Sequence, residues 1–589
     1  MKTKKTFPII ATLILIASLL GVLPAAASPT SSPQQPFKAP KAKFTESVAF
    51  DVSPALRDLA KKAPVQAPAG SADDEPFDIR PDRGPEVIDS GFSGDGAAES
   101  STAQLASSLS TAAIPAPLLT FEGLSNQDNF NLFGFRVNPP DPVGDVGPNH
   151  YVEMVNLAFA VYDKQGNLLM GPVDTGTLWS GFAVEDCTDP SGDPIVIYDQ
   201  FSDRWLLSQF TTRFTPNPVE DVFYNCVAVS QTGDPTGAYY RYAFTSGNFF
   251  PDYPKYGVWK DSYILTSRDF GPTVEYGISV YALEKNKMIA GLPKARAVKF
   301  FLDSDVVPIE LMGDGLLPPD VDGKTKPKND APAPIVGTMD NDGPYGAPYD
   351  ALNIFELKVQ WNSKPTASFT LAAQLPVASF DSAFPCAPTS RDCLPQPGIT
   401  NPAQYLDILS YRQRPTYRLA YRNFGTYESY VTSQSVEAAP GVAGMRWYEI
   451  RRTGGVYSVY QQGTYNPGDG VHRWMGSAAM DWQGNIALGY SVVNGVDVFP
   501  GIRYTGRLAG DPLNDMTLGE GVIVNGTGVQ RTTNSRWGDY TSLNIDPVDD
   551  CTFWYVNEYY TLAGQLSSTA GWQTRIASFK LPGCKAKGD

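Results

Sequence analysis

Acidic residues recur at one position of a repeated pattern, and they are the residues best suited to chemistry in this chain. In six of seven similar segments an Asp stands at the polar turn before an alternating apolar run, and in the remaining segment an Arg stands there. These positions are Asp145, Asp193, Asp252, Asp320 or Asp322, Asp407, Arg473 and Asp539. Converging carboxylates can ligate calcium, or act as acid and base on a glycoside when about 5–9 Å apart. Alternatively, each Asp accepts backbone N–H bonds in a turn, which requires no ligand.

Three sets of candidate site residues follow from this pattern. Arg536, Asp539 and Glu558 are the most polar cluster on otherwise aromatic strands, and we assign them as the candidate catalytic residues. The candidate ligand-binding residues are Asp145, Asp193, Asp252, Asp407 and Arg473. The segment DPVGDVGPN spaces Asp141, Asp145 and Asn149 for oxygen ligation, so calcium is the one cofactor that the sequence suggests. A plain Pro/Gly turn is the alternative for that segment.

Four of the ten Trp follow an Arg directly, each beside an alternating run. The pairs are Arg204-Trp205, Arg446-Trp447, Arg473-Trp474 and Arg536-Trp537. A guanidinium stacked on an indole can bind carboxylates or sugars, but such pairs more often pack inside the fold. The shared context indicates an internal repeat.

Several kinds of site are disfavoured by what the sequence lacks. Only two His are present, His150 and His472, and there is no H-E-x-x-H, G-x-S-x-G or Walker motif. No Cys-x-x-Cys pattern suggests zinc, and no nucleotide or haem motif occurs. We therefore expect no zinc, haem or nucleotide cofactor.

The repeated segments predict an all-β fold. Each has a polar turn, a short strand, a tight turn and an aromatic-rich strand, as in Asp145–Asp163, Asp193–Phe210, Asp252–Phe270, Asp320–Asp340, Asp407–Gly425, Arg473–Ser491 and Asp539–Tyr560. Their anchor residues lie 54, 58, 72, 82, 69 and 67 residues apart. A four-stranded blade with its loops fills such a period, so we predict a seven-bladed β-propeller. Six blades, or two to three sandwich domains, are the alternatives.

A propeller must hide its first and last strand edges, and the sequence suggests how. The strand-like run Leu118–Leu124 is expected to pair beside Trp572–Leu581 in the final blade. The six Cys form three natural local pairs, namely Cys187–Cys226, Cys386–Cys393 and Cys551–Cys584, although 15 pairings are possible. The third pair would staple the closing blade.

Short turn motifs resemble those of the sialidase-type, Asp-box propellers. Thr232–Tyr239 (TGDPTGAY) is similar to the Asp-box turn, with one extra residue and Tyr in place of Trp. Asp163–Asn167 and Asp481–Asn485 share only Asp-x-x-Gly-Asn with it. The resemblance covers about residues 118–584 at the level of architecture and implies a secreted bacterial β-propeller. In that group the Asp-box is a folding turn far from catalysis.

The N-terminal region predicts export. Lys2, Lys4 and Lys5 precede an apolar run, and Ala25-Ala26-Ala27 forms a cleavage site, so residues 1–27 are interpreted as a signal peptide. Residues 28–115, rich in Pro, Ala and Ser, are expected to be a flexible linker or pro-segment, with a short helix within 44–62. Residues 116–589 would form the propeller.

Charge narrows the range of partners. The formal net charge of −16 becomes −19 without residues 1–27, which carry three Lys and no acid. Such a charge disfavours nucleic acid and anionic membranes. We expect an extracellular, monomeric protein that binds polysaccharide or a cell-surface polymer through its channel face. The alternative is a carbohydrate-active hydrolase, sialidase-like or another glycosidase, with paired carboxylates at the channel mouth.

Overall fold

Alternating apolar and polar residues fold into antiparallel sheets around a central channel. The computed structural model describes residues 37–62, 77–78, 89, 91–99, 113–212, 222–271, 276–328, 330–387, 389, 391–408, 413–532 and 534–586. Within this part of the chain, seven sheets form a seven-bladed β-propeller, which confirms the predicted fold class and blade number.

The blades follow one another in chain order, and the strands of each blade run from the channel outward. Blade 1 contains β6 (Val143–Val146), β7 (His150–Val155), β8 (Ala158–Asp163) and β9 (Leu168–Asp174). Blade 2 contains β10 (Ile195–Asp199), β11 (Arg204–Phe210), β12 (Phe223–Ser230) and β13 (Tyr239–Gly247). Blade 3 contains β14 (Phe250–Val258), β15 (Ser262–Phe270), β16 (Gly277–Glu284) and β17 (Arg296–Asp303). Blade 4 contains β18 (Pro319–Val321), β19 (Ala333–Met339), β20 (Ala351–Gln360) and β21 (Thr366–Pro376).

The remaining blades complete the ring. Blade 5 contains β22 (Thr416–Asn423), β23 (Glu428–Ala439), β24 (Val442–Thr453) and β25 (Val456–Tyr465). Blade 6 contains β26 (His472–Met480), β27 (Ile486–Val493), β28 (Gly501–Arg507) and β29 (Glu520–Val524). Blade 7 contains β30 (Ser542–Ile545), β31 (Thr552–Tyr560), β32 (Trp572–Lys580) and β4 (Leu119–Ser125). The innermost strands contact one another in this order, and β30 contacts β6.

Short helices and two small strands connect the blades. The helices are Leu56–Ala60, Asn126–Phe133, Lys285–Ile289, Ile309–Met312 and Leu562–Ser567, and the 3-10 turns are Thr175–Trp179, Glu185–Thr188 and Pro402–Gln404. β3 (Phe77–Asp78) pairs in parallel with β5 (Val137–Asn138). None of the helices in the described part of the chain is long and apolar enough to cross a membrane.

The final blade closes as predicted. β4 pairs antiparallel with β32, so that Leu119 lies opposite Ser578 and Phe121 opposite Ile576. A strand near the start of the propeller thus completes the last sheet, and neither edge of that junction is left open.

Blades 4 and 5 depart from the predicted pattern. β18 pairs in parallel with β22, and blade 4 reaches its own innermost segment through a bridge between Leu317 and Val336. In blade 5 the innermost strand is β22, which the sequence pattern had predicted as the second strand. Asp407 therefore lies in the loop that follows the 3-10 turn Pro402–Gln404, well before β22 begins at Thr416.

Part of the N-terminal segment is attached to the blades. β1 (Lys43–Glu46) pairs with the outer edge of β17, and β2 (Ala49–Val52) pairs with that of β13. Phe50 packs on Tyr242, and Arg241 donates two hydrogen bonds to Asp51, at 2.7 and 2.6 Å. These residues differ from the flexible spacer expected over 28–115, because they cover two open sheet edges. The predicted signal peptide lies outside the described residues, and the boundary at residue 116 stays a prediction.

The Arg-Trp pairs contribute to the core. Trp205, Trp447, Trp474 and Trp537 are all fully buried. Trp474 and Trp537 contact each other between blades 6 and 7, with ring centroids 5.1 Å apart. In the three pairs on strands, neighbouring residues point to opposite faces, so the indole packs away from the Arg that precedes it. The indoles are thus core residues, but they do not stack on their own Arg.

All three predicted disulfides are present in the structure. They join Cys187 to Cys226, Cys386 to Cys393, and Cys551 to Cys584. The third joins the start of β31 to the residues after β32, and therefore staples the closing blade as expected.

The Asp-x-x-Gly-Asn motifs are tight hairpin turns. Asp163 accepts hydrogen bonds from the backbone N–H groups of Gln165 and Asn167, both at 2.9 Å. Asp481 does the same with Gln483 and Asn485, at 2.9 and 3.0 Å. The turn chemistry explains these Asp residues without any ligand.

Candidate functional site

A group of charged side chains gathers where the innermost strands begin. We call this end of the channel the mouth and this group the mouth cluster. Its members are Asp141, Asp193, Lys255, Arg391, Asp407, Arg414, Arg536, Asp539 and Glu558. The residues come from blades 1, 2, 3, 5 and 7 and from the loop after blade 4, so only the closed ring brings them together.

Asp539 is a partly accessible carboxylate of the cluster, with 15 % of its side chain exposed. Its two oxygens accept hydrogen bonds from Arg414 and Arg536, each at 3.0 Å. Burial opposes ionisation of Asp539, but the positive charges of Arg536, Arg414 and Lys255 outweigh it and hold the pKa of this carboxyl well below its ordinary value. Asp539 is therefore a carboxylate at neutral pH.

Asp141 lies against Asp539 and has the opposite tendency. Its Oδ1 accepts a hydrogen bond from the Asp539 backbone N–H at 2.6 Å, and its Oδ2 accepts one from Asn156 at 2.7 Å. Burial, and then the negative charge of Asp539, raise the pKa of Asp141 to about 7.

Glu558 is another acid of the mouth cluster with a raised pKa. It projects from β31, is 1 % exposed, and its Oε2 has no hydrogen-bond partner among the described residues. Burial, followed by the charges of Asp141 and Asp407, raises the pKa of Glu558 well above its ordinary value. Gly538 lets the backbone before Asp539 pass close to the Glu558 carboxyl group, since a Cβ at residue 538 would lie 2.9 Å from Glu558 Oε1.

Lys255 occupies an aromatic cage beside these acids. Its Nζ lies 3.1 Å from the ring centroid of Tyr253 and 3.3 Å from that of Tyr540, and it has no hydrogen-bond partner in the described part of the chain. Burial, and then the charge of Arg414, lower the pKa of Lys255 well below its ordinary value. The two tyrosine rings, rather than hydrogen-bond acceptors, thus surround this amine.

Asp193 and Asp407 hold neighbouring blades together at the mouth. Asp193 Oδ2 accepts hydrogen bonds from the Tyr253 N–H at 3.1 Å and the Tyr540 hydroxyl at 3.0 Å. Asp407 accepts one from the Trp537 N–H at 3.3 Å and pairs with Arg391 at 3.3 Å. Both acids thus bridge blades that are distant in sequence.

A second charged group lies deeper in the channel. Asp145 accepts a hydrogen bond from the Tyr198 N–H at 2.6 Å, and Asp320 accepts one from the Val258 N–H at 3.0 Å. Arg418 pairs with Asp320 at 2.9 Å and with Asp322 at 2.5 Å. These contacts join blade 1 to blade 2, and blade 4 to blades 3 and 5.

The predicted residues are only partly brought together. Asp193, Asp407, Arg536, Asp539 and Glu558 all lie in the mouth cluster. Asp252 is half-buried beside Asp193, and its charge helps to raise the pKa of Asp193 after burial and the charge of Asp141. Asp145 belongs to the deeper group.

Arg473 lies away from the mouth cluster, and the three predicted calcium ligands lie apart from one another. Arg473 pairs with Asp469 at 2.8 Å and Glu520 at 2.7 Å within blade 6. Asp141 lies at the mouth, Asp145 deeper on β6, and Asn149 on the exposed turn beyond it. An extended strand places residues four apart about 13 Å from each other, so these three do not form one ligand set.

Apart from Arg536, the basic residues of the mouth cluster were not predicted from the sequence, nor were the two tyrosines that surround Lys255. Arg414, Arg418 and Arg422 recur at every fourth residue before and along β22, and each pairs with an acid from another blade. The spacing of these three Arg can be seen in the sequence. It indicates channel residues only once β22 is recognised as the innermost strand of blade 5. Lys255 carried no distinguishing signal.

Comparison with known proteins gives only distant similarity. The sequence matches no protein-family profile and no curated protein. Among solved structures, a thermostable family-43 glycoside hydrolase has a TM-score of 0.28 and 10 % identity over 60 % of this chain and 98 % of its own. An endo-arabinase from Bacteroides thetaiotaomicron has a TM-score of 0.24 and 13 % identity over 53 % and 92 %. A family-93 α-L-arabinofuranosidase of Fusarium graminearum has a TM-score of 0.25 and 8 % identity over 66 % and 93 %.

Proposed function

We propose that this protein is a carbohydrate-active hydrolase whose active site is the mouth cluster. The observation that carries the proposal is the opposite pKa shift of two carboxyl groups of the mouth cluster, Asp539 and Glu558. Glycoside hydrolysis needs one carboxylate and one carboxylic acid, and a site that separates their pKa values assigns the two roles.

Each residue then has a defined task. Asp539, kept ionised by Arg536 and Arg414, is the base or nucleophile. Glu558, kept protonated by burial, is the proton donor, and its Oε2 is not committed to another hydrogen bond among the described residues. Arg536 orients Asp539 and can also contact an anionic group of the substrate.

A second function, an extracellular binding or scaffold module, is favoured by a different observation. Asp141, Asp145, Asp193, Asp320 and Asp407 each accept a backbone N–H from a neighbouring blade. These acids stabilise the ring whether or not a reaction takes place. The polymer would then bind at the mouth without being cleaved.

The test is release of reducing ends from a panel of polysaccharides and sialoglycans by the purified chain. We expect release that is lost in Asp539→Asn and in Glu558→Gln. Asp481→Asn is the matched control, because it makes the same change at a buried acid in a hairpin turn of blade 6. No release from any substrate, together with capture of a polymer by the wild-type chain, would favour the binding module.

A further inference from the structure

Three acidic side chains meet far from the channel mouth, where the N-terminal segment crosses blades 4 and 5. They are Asp89 of that segment, Asp381 of the loop after β21, and Glu437 near the end of β23. One oxygen from each carboxylate lies within 4.8 Å of the other two. No single element supplies this group, so the arrangement exists only when the segment is docked.

The backbone around these acids is held in place. Asp381 accepts hydrogen bonds from the N–H groups of Ala383 at 2.9 Å and Ser93 at 3.4 Å. The Glu437 N–H donates to the Asp381 carbonyl at 2.9 Å. These hydrogen bonds hold Asp381 against β23 and connect it to Ser93 of the N-terminal segment.

One buried carboxylate in this group is only half satisfied. Glu437 is 1 % exposed; its Oε1 accepts a hydrogen bond from the Gly441 N–H at 2.5 Å, while its Oε2 has none among the residues that the structure describes. A buried carboxylate oxygen without a hydrogen bond is costly. Because this carboxylate lies beside those of Asp89 and Asp381, a ligand placed between them would satisfy it.

The charges around the group are predominantly negative. Burial, then the charges of Asp340 and Glu437, raise the pKa of Asp381 to about 7. Burial, opposed by the Gly441 N–H and reinforced by the charge of Asp89, raises the pKa of Glu437. Arg446 on β24 does not offset this charge, because its guanidinium donates to Asp95 at 2.6 Å and to the Ser379 carbonyl at 2.8 Å.

We propose that Asp89, Asp381 and Glu437 bind one calcium ion that fastens the N-terminal segment to blades 4 and 5. One oxygen from each of the three carboxylates gives three hard donors. Calcium accepts such donors and takes water for the rest of its coordination shell, and the group contains no His or Cys that would favour zinc. The site is independent of the proposed active site and of the calcium ligands predicted from the sequence.

The ion would secure contacts that the same segment already makes. The Ala97 carbonyl accepts a hydrogen bond from the Thr464 N–H at 2.8 Å, and Glu99 accepts one from the Trp447 indole at 2.9 Å. Binding to the folded chain alone raises stability by mass action, so calcium is expected to raise the melting temperature.

The test is a calorimetric titration of the metal-stripped, purified chain with calcium. The melting temperature is then measured with calcium and with EDTA. We expect one bound ion, and an increase in Kd of at least about tenfold in Glu437→Gln and Asp381→Asn. Glu122→Gln is the matched control, because this acid on β4 pairs with Arg575 and is half-exposed. It should bind calcium as the wild type does.

Two results would overturn the proposal. One is a wild-type chain that takes up no calcium and melts at the same temperature in EDTA, with Glu437→Gln equally or more stable, which would mean that protons satisfy the acids. The other is calcium uptake that persists in Glu437→Gln but is lost in Asp141→Asn, which would place the ion at the channel mouth.

Discussion

The aspartates of the channel act as acceptors between blades. In each case a short carboxylate of one blade receives a backbone N–H of another, as Asp145 does from Tyr198 and Asp320 from Val258. Buried backbone donors must be paired, and a strand at the channel has no further sheet partner on that side. The sequence predicted where these acids stand. It did not predict their partners, because these come from other blades, as Arg418 of blade 5 does for Asp320 of blade 4.

Loss of the Arg418 guanidinium should be strongly destabilising. Arg418→Met leaves Asp320 and Asp322 buried without their cation, and we expect a decrease of about 3–5 kcal/mol in the free energy of unfolding. Urea denaturation measures this change. Arg57→Ala, which removes a half-exposed pair with Asp234, should cost no more than about 1 kcal/mol. Equal losses in the two variants would contradict the expectation.

At the scale of strands, period-two alternation in the sequence predicted many of the blade strands, but it missed the short strands that cover the outer edges of blades 2 and 3. Alternation predicted two strands in most blades and the closing strand β4, because these bury one or both faces. It did not predict β1 and β2, since each has four residues and lies in a region rich in Pro and Ala. Phe44 and Phe50 were the available signal, as aromatic residues at edge strands.

Detaching the edge strands should promote association. Phe50→Asp places a charge against Tyr242, so β2 is expected to leave β13 and expose the edge of blade 2. Light scattering should then increase with protein concentration. Val48→Asp is the control, because Val48 is already 54 % exposed. An unchanged, monomeric Phe50→Asp chain would show that β2 does not protect the edge.

The three disulfides should contribute according to the length of chain they close. Cys187–Cys226 and Cys551–Cys584 span 39 and 33 residues, against 7 for Cys386–Cys393. Loop-closure entropy predicts about 4 kcal/mol for each long loop and about 2–3 kcal/mol for the short one. Paired Cys→Ser variants measured by urea unfolding would reveal the order. A larger loss for Cys386–Cys393 would mean that native contacts, not loop length, dominate.

For the whole molecule, the spacing of the anchor residues predicted the number of blades, whereas the distribution of buried charge could be described only from the three-dimensional structure. Each blade buries its own sheet against its neighbours, so the period of anchor residues predicts the count. The concentration of buried acids could not be predicted in this way. Asp141, Asp145 and Glu153 all have pKa values raised to about 7, first by burial.

These raised values predict a particular dependence of stability on pH. A carboxyl whose pKa is 3.8 when unfolded and about 7 when folded binds its proton more tightly in the folded state. Stability is therefore full below the unfolded value and falls as pH rises toward about 7. Asp539, with a lowered pKa, has the opposite effect only in strong acid. We expect a higher melting temperature at about pH 5 than at about pH 8.

Scanning calorimetry across this range tests the expectation. Asp145→Asn should reduce the difference in melting temperature between the two pH values, because one of the responsible carboxyl groups no longer titrates. A melting temperature that rises steadily from about pH 5 to about pH 8 would show that paired, not protonated, acids govern stability.

The pairing of β4 with β32 also sets the order in which the molecule is completed. β4 precedes the strands of blades 1 to 6, while its partner β32 is the last strand in the described part of the chain. The ring therefore stays open during synthesis, with an unsatisfied edge at each end, until residue 580 is free to move. Closure then requires the most distant parts of the chain to meet, a search whose entropy slows it. Truncation after blade 6 would consequently leave a permanently open arc rather than a smaller propeller.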